Sequence, residues 1–405
     1  MSVIIQKYGG SSLADPEKIK LVSKRIASLR ESGVSVVVVC SAMGDTTDDL
    51  LALSREISEN PSKREMDALL VTGEMISCSL VAMALSDMGY PAVSLTGMQA
   101  GIQTESIHGS ARISNLNPNR IIEELDNGRI AVVCGFQGFT KQYEITTLGR
   151  GGSDTTAVAL AAALHAERCE IYTDVEGIYT ADPRIVPHAR KIHEIEYEEM
   201  LELAVSGAKM HPRSIELGAL FDIPILVAST FSSDEGTLIH KEARMETQNR
   251  VRGVAYDKNV SRITVRGVPD KLGIAAAIFT PLAKANVSVD TIVQNVSSDN
   301  LTDMSFTVSR SEHENALKLV ESIISNIGFK SVSAENNLAK VSVVGTGMQN
   351  SPGYAALMFR ALSDASVNIH MITTSEIRIT CIINEEAVDM AVQSLHKAFD
   401  LENEY

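Results

Sequence analysis

Three polar stretches of the chain carry residue types able to handle phosphate and carboxylate. Thr147-Leu148-Gly149-Arg150-Gly151-Gly152-Ser153-Asp154-Thr155-Thr156 joins a glycine turn to the Ala/Leu-rich run Ala157 to Leu164, which predicts a helix. Ser153 or Asp154 can cap that helix. Its N-terminus offers free N–H groups and the positive end of a dipole, a setting that suits an anion. Arg150, in the same turn, can grip a carboxylate or a phosphate through two parallel hydrogen bonds. Lys7-Tyr8-Gly9-Gly10-Ser11-Ser12 follows the strand-like Val3-Ile4-Ile5 and puts a cation beside glycines, as a phosphate cradle requires. Its spacing is neither G-x-x-x-x-G-K-[ST] nor G-x-G-x-x-G, so P-loop and Rossmann readings fail. Thr72-Gly73-Glu74 lies inside a helical pattern from Arg64 to Met88, where Gly costs about 1 kcal/mol against Ala and signals close approach by another segment.

The elements between these stretches show how they could meet. Asp15-Pro16-Glu17 starts a helix with apolar positions at Ile19, Val22, Ile26 and Leu29, and Gly33 ends it. Val36 to Val39 reads as a strand covered on both faces and opens into Ser41-Ala42-Met43-Gly44-Asp45-Thr46-Thr47. Ala92 to Leu95 and Ile130 to Cys134 repeat the pattern, each followed by a glycine-containing loop. Cys169 to Thr173 leads into Asp174, Gly177, Tyr179, Asp182 and Arg184, and Phe221 to Ala228, with Pro224 inside, reads as a final edge strand. Strands alternating with helices predict an open, largely parallel sheet with helices on both faces. A ligand crevice then lies at the carboxyl ends of the strands, where every candidate residue falls.

Composition narrows the ligand. With 405 residues, 44% hydrophobic and 21% charged, the chain has room for two or three globular domains. A formal net charge of −15 without a basic stripe argues against broad binding to nucleic acid or anionic membrane. A phosphate ligand must therefore be held by local Lys, Arg, Mg²⁺ and backbone N–H groups. No secretory pattern follows Met1 and apolar runs such as Val36 to Cys40 are too short to span a bilayer, so the chain reads as cytoplasmic. The five Cys are scattered without zinc spacing and read as buried thiols.

Taken together, Lys7 to Ser12, Cys40 to Thr47, Thr72 to Glu74, Leu148 to Asp154 and Tyr179 to Arg184 resemble the amino-acid kinase superfamily, and more narrowly the aspartokinase family. The resemblance implies an αβα sandwich that binds ATP with Mg²⁺ and phosphorylates the side-chain carboxylate of L-aspartate, the first step toward lysine, threonine and methionine. It implies that Lys7 contacts the phosphates with Tyr8, Gly9, Gly10, Ser41 and Gly152, and that Asp154 organises Lys7 and the Mg²⁺ region. No metal site built from protein ligands alone is expected. Glu74 would meet the substrate ammonium and Arg150 its α-carboxylate, with Ser41, Thr47, Gly151, Gly152 and Ser153 around them. Thr173, Asp174, Tyr179, Asp182 and Arg184 resemble the nucleotide-side loop, and Lys209 is assigned to the phosphates. A relative acting on glutamate, acetylglutamate or a nucleotide, and a non-catalytic amino-acid sensor, are the alternative readings.

The C-terminal half repeats itself. Ile263-Thr264-Val265-Arg266-Gly267 is echoed by Val341-Ser342-Val343-Val344-Gly345, and Phe279, Ala285, Val287 by Phe359, Ala365, Val367. Each copy predicts a ferredoxin-like βαββαβ module, and the loops Asp270 to Gly273 and Ser351 to Gly353 resemble those of amino-acid-binding ACT domains. The reading is a catalytic domain over 1–245, a linker with an extra strand over 246–260, and ACT modules over 261–337 and 338–405. The second module is one strand short, so the spare strand Arg252 to Tyr256 is expected to complete its sheet. By resemblance, effector sites use Asp270, Gly273, Ile274, Ala275, Gln294 and Asn295 with Met348, Asn368 and Ile369, for threonine, lysine or both. The modules would join chains as a dimer or tetramer, with or without a separately translated C-terminal-half subunit.

Overall fold

The β-branched run around Val36 sits where such a run must, in the middle of a sheet. In the computed structural model, which describes residues 2–208, 210–241, 251–296, 300–323, 327–348 and 352–403, the chain divides into two units. The first is Met1–Tyr179 with Lys191–Val205 and Lys209–Arg244; the second is Thr180–Arg190 with Ser206–Ala208 and Met245–Tyr405.

In the first unit, β1 (Val3–Tyr8) leads through α1 (Pro16–Glu31) to β2 (Ser35–Cys40). The Asp15 carboxylate caps α1 by accepting the Lys18 N–H at 2.9 Å. Then come α2 (Thr46–Ile57), α3 (Lys63–Leu70), α4 (Thr72–Asp87) and β3 (Ala92–Leu95). The short strands β4 (Ile102–Thr104) and β5 (Ile113–Leu116) precede α5 (Asn119–Asp126), β6 (Ile130–Cys134), β7 (Gln137–Phe139) and β8 (Ile145–Thr147). After them stand α6 (Gly152–Ala163), β9 (Arg168–Thr173), β10 (Ile178–Tyr179), β11 (Lys191–Ile192), β12 (Glu194–Glu196), α7 (Tyr197–Val205), α8 (Pro212–Phe221), β13 (Ile225–Ser229) and β14 (Thr237–His240). The main sheet runs β12-β14-β13-β9-β1-β2-β6-β3, and β13, β9, β1, β2, β6 and β3 are parallel neighbours. Their carboxyl ends make one rim. Tyr8, Val22, Ile26, Val38, Cys78, Val81 and Val132 pack the core on one side.

Three expectations need correction here. The pattern from Arg64 to Met88 is two helices, α3 and α4, so Gly73 stands in the first turn of α4. A Cβ on Gly73 would be 2.8 Å from the Ala42 Cβ, which is the close approach that excludes a side chain. The strand with Pro224 is not an edge strand: Asp222 turns the chain at φ 54, the strand starts at Ile225, and β13 lies between β9 and β14. Pro224 stays outside the ladder and offers only its carbonyl, to the Cys169 N–H. By length and hydropathy, Lys63–Asp87 would pass for a bilayer span, which the sequence reading did not foresee; half of its apolar window is buried in the fold. A second sheet, β5-β4-β7-β8, was also not anticipated, because its strands are only three or four residues long.

The second unit is built on one six-stranded sheet. Its elements are β15 (Gly253–Pro269), α9 (Ile274–Lys284), β16 (Ile292–Val296), β17 (Leu301–Val308), α10 (His313–Ser322), β18 (Ser331–Val344), α11 (Tyr354–Asp364), β19 (Met371–Thr374), β20 (Arg378–Asn384) and α12 (Val388–Ala398). The order is β16-β17-β15-β18-β20-β19, antiparallel throughout. Val254 pairs with Val343, and Ile263, on the same strand, pairs with Phe306 and Ala334. β15 and β18 therefore each run through both repeats without a break at 260/261 or 337/338. The register shifts around Val260, between the halves. Ile263, Phe306, Ile278 and Val320 fill the first repeat's core. Val341, Val343, Met358, Val392 and Leu395 fill the second, joined by Ala181 and Val186 from the Thr180–Arg190 segment.

Candidate active site

A cavity of about 730 Å³ opens at the rim where β1, β2 and the loop before α6 end. Lys7, Gly9, Gly10, Ser41, Thr47, Glu74, Arg150, Gly151, Gly152, Ser153 and Asp154 all line it. Lys7 projects from the centre of the sheet, its strand paired to β2 on one side and β9 on the other. Its Nζ lies 2.6 Å from Asp154 Oδ1, and both side chains are largely shielded from solvent. Such a pair holds the ammonium in place while leaving its positive charge at the cavity wall.

Glu74 is deeper, with 3% of its surface exposed. Its Oε1 accepts the Ala42 N–H at 3.1 Å, whereas Oε2 is buried with no hydrogen-bond partner among the described residues. Burial pushes the carboxyl up to about 7 against the pull of its backbone hydrogen bonds. A buried acceptor facing a cavity is an invitation to a ligand donor. Arg150 is exposed in the loop and has no ion-pair partner among the described residues. Gly151 caps α6 at φ 66, and a Cβ there would be 2.3 Å from the His211 ring. Burial, then Arg213, holds the His211 imidazole below its usual range.

Other expected residues stand differently. Neither Ser153 nor Asp154 caps α6 with its side chain. Several N–H groups expected to face an anion are already used within the fold: Ser41 donates to Tyr8 O, Ala42 to Glu74, and Gly152 to Gly149 O. Tyr8 is fully buried, stacked on Tyr172 and bonded to Gln6, so its side chain cannot reach a nucleotide. At the end of β9 the Thr173 hydroxyl donates to Asp174, next to Gly9, whose N–H donates to Tyr172 O. The Tyr179 hydroxyl donates to Glu176. Asp182 and Arg184 belong to the second unit, where Arg184 and the Tyr256 hydroxyl donate to Asp182 and hold its carboxyl down at about 2. Lys209 lies outside the described residues. Among the described residues no group of three or more His, Cys, Asp and Glu side chains could hold a metal by itself.

Sequence reading missed four residues here. Asp67, His108 and Phe136 also line the cavity, and Arg213 donates to Leu148 O and Ala111 O behind it. The positive φ of Phe136, 67°, marks a strained turn at the rim.

In the second unit, Asp270, Gly273 and Ala275 are exposed around the start of α9, with Ile274 half-buried. Gln294 and Asn295 lie on β16, while Asn368 and Ile369 lead into β19; these are the two outer strands of the sheet. Met348 is buried in the second repeat's core.

The model of the amino acid kinase family matches residues 2–229, and ACT domain models match 261–327 and 341–399. Aspartokinase 2 of Bacillus subtilis (strain 168) is 47% identical over 402 residues, covering 99% of this chain and 98% of that protein. The chain belongs to the aspartokinases, within the amino acid kinase family. The aspartokinase of Geobacillus stearothermophilus is 48% identical over 405 residues, covering 100% of this chain and 98% of its own. Among solved structures, E. coli aspartokinase III in complex with aspartate and ADP matches at 26% identity with TM-score 0.84, covering 98% of this chain and 100% of that one. The same aspartokinase with lysine and aspartate gives TM-score 0.73, with 98% and 99% covered. The family is one of kinases.

Proposed function

We propose that this cavity transfers the γ-phosphoryl group of ATP to the side-chain carboxylate of L-aspartate, giving 4-phospho-L-aspartate and ADP. The observation that carries the reading is the convergence of Lys7 with Asp154, the unpartnered Glu74 oxygen and the unpaired Arg150 on one cavity. An α-amino acid needs its two charged groups recognised separately: Glu74 takes the ammonium and Arg150 the α-carboxylate, with Ser41, Thr47 and Ser153 as hydroxyl partners. The remaining carboxylate, already ionised near neutral pH, needs no general base. One of its oxygens attacks the terminal phosphorus as the bond to the bridging oxygen breaks and the electron pair leaves on ADP. Lys7 neutralises charge on the moving group, and Asp154 fixes the Lys7 ammonium. Mg²⁺ carried by the nucleotide would spread phosphate charge, and Asp154 is the carboxylate that would face it. Two anions held in line at short range account for the acceleration.

The C-terminal unit is proposed to bind lysine, threonine or both and to feed back on the cavity, in a pathway toward those amino acids and methionine. The paired ACT domains support it, as does the lysine complex of the E. coli relative. Open edges on β16 and β19 favour assembly of further chains there. A cytoplasmic location is proposed from the use of ATP and from five buried, unbridged thiols.

The deciding experiment is ATP-dependent hydroxamate formation with aspartate or glutamate, with and without lysine and threonine. Lys7→Ala should lower turnover with aspartate by about 10³-fold or more, as expected for a lost charge stabiliser. Retained turnover, or a preference for glutamate, contradicts the reading.

A further inference from the structure

We infer that Asp67, acting through the Thr147 hydroxyl, is a positioning residue that sets the Arg150 loop for aspartate. The inference rests on the reading of Arg150 as the α-carboxylate clamp. Asp67 lies in α3 and is completely buried, yet it makes no ion pair with Lys or Arg among the described residues. Its carboxylate is satisfied instead by two other parts of the chain. Oδ1 accepts the Thr147 hydroxyl at 2.6 Å, both oxygens lie 3.1 Å from the Gly109 N–H, and His108 Nδ1 is 2.8 Å from Oδ2.

These bonds tie α3, the 108–109 turn and the end of β8 into one block beside the cavity, and all four residues line it. Thr147 is 1% exposed, and its carbonyl accepts the Ala111 N–H, which closes the block on the backbone side. The chain then runs from Thr147 through Leu148 and Gly149 to Arg150. Leu148 is held in turn by Phe136 O and by Arg213. Gly149, at φ 81, is the soft joint left before the guanidinium. A buried carboxylate with this many donors is a rigid anchor, and its loss leaves donors unsatisfied where the clamp begins. Purely structural duty would not require the anchor to border the ligand cavity at three separate points. The chemistry it serves is selection of a ligand bearing a carboxylate at a fixed distance from an ammonium.

The test uses the full-length enzyme with Thr147, Arg150 and Asp67 variants. Thr147→Val removes the hydroxyl and keeps the shape, and should raise KM for aspartate about tenfold while KM for ATP stays within about twofold, the signature of a misplaced clamp. Thr147→Ser restores the hydroxyl and should return KM for aspartate to near the parent value. Arg150→Ala combined with Thr147→Val should have a KM for aspartate no higher than Arg150→Ala alone, because both changes act on one contact. Equal rises in both KM values, no rescue by Ser, or additive effects in the double variant overturn the positioning role. An Arg150→Ala enzyme with unchanged KM overturns the clamp itself, a separate outcome that removes the basis of the inference. Asp67→Asn, checked for an unchanged far-UV circular dichroism spectrum, should mirror Thr147→Val.

Discussion

Glu74 shows how one side chain can trade stability for recognition. Its carboxyl titrates near 7 in the folded chain against 4.5 when unfolded, so between those values the folded state holds a proton that the unfolded state has released. Stability from this group is therefore lost as pH rises through that window, by up to about 3 kcal/mol above pH 7. Glu74→Gln should raise Tm at pH 8, show no gain at pH 4, and weaken aspartate binding severely; melting curves at the two pH values with KM determinations check this. In the parent enzyme KM for aspartate should climb as pH drops below 7, because a protonated Glu74 cannot pair with an ammonium. Lys7, Arg150 and Asp154 were legible as cavity residues because each sits in or beside a glycine turn near a strand end, and Glu74 because it follows a glycine inside a helical pattern. Asp67 was not, since Met66-Asp67-Ala68-Leu69 looks like any helix with one polar position. Only tertiary contact brings Thr147 and Gly109 to it.

At the level of elements, helix starts and strand ends could be read from Asp15-Pro16 and from the Val36 run, where local preference and burial agree. The β5-β4-β7-β8 sheet could not, because strands this short carry almost no periodic signal and owe their pairing to the surrounding fold. The turn into α6 depends on backbone shape. Gly151→Ala would force a side chain into a left-handed position against the His211 ring, and should cost about 2 kcal/mol or more of stability. It should also raise KM for aspartate through the neighbouring Arg150, and thermal melts with kinetics on the same sample check both effects. Removing the α1 cap with Asp15→Ala should instead cost about 1 kcal/mol with kinetic constants unchanged.

For the whole molecule, the repeat in the C-terminal half was visible in the sequence, and so was the missing strand. What sequence could not show is that β15 and β18 are single continuous strands, since no residue marks where one repeat hands over to the next. A fragment beginning at residue 251 should keep backbone amide protection along the second repeat's sheet at a lowered Tm, for want of the Thr180–Arg190 side chains, whereas one beginning at 261 should lose that protection. The chain path also leaves the first unit for Thr180–Arg190, returns, leaves again for Ser206–Ala208, and returns before the final departure. In the first of these excursions the Thr180 hydroxyl meets buried His396, and Gln393 donates to Ile185 O. Anyone recombining these enzymes into chimaeras must therefore treat Thr180–Arg190 as cargo of the parent that supplies the C-terminal unit. A crossover placed at residue 245, where the sequence invites it, would graft a foreign plug into a core shaped for its own.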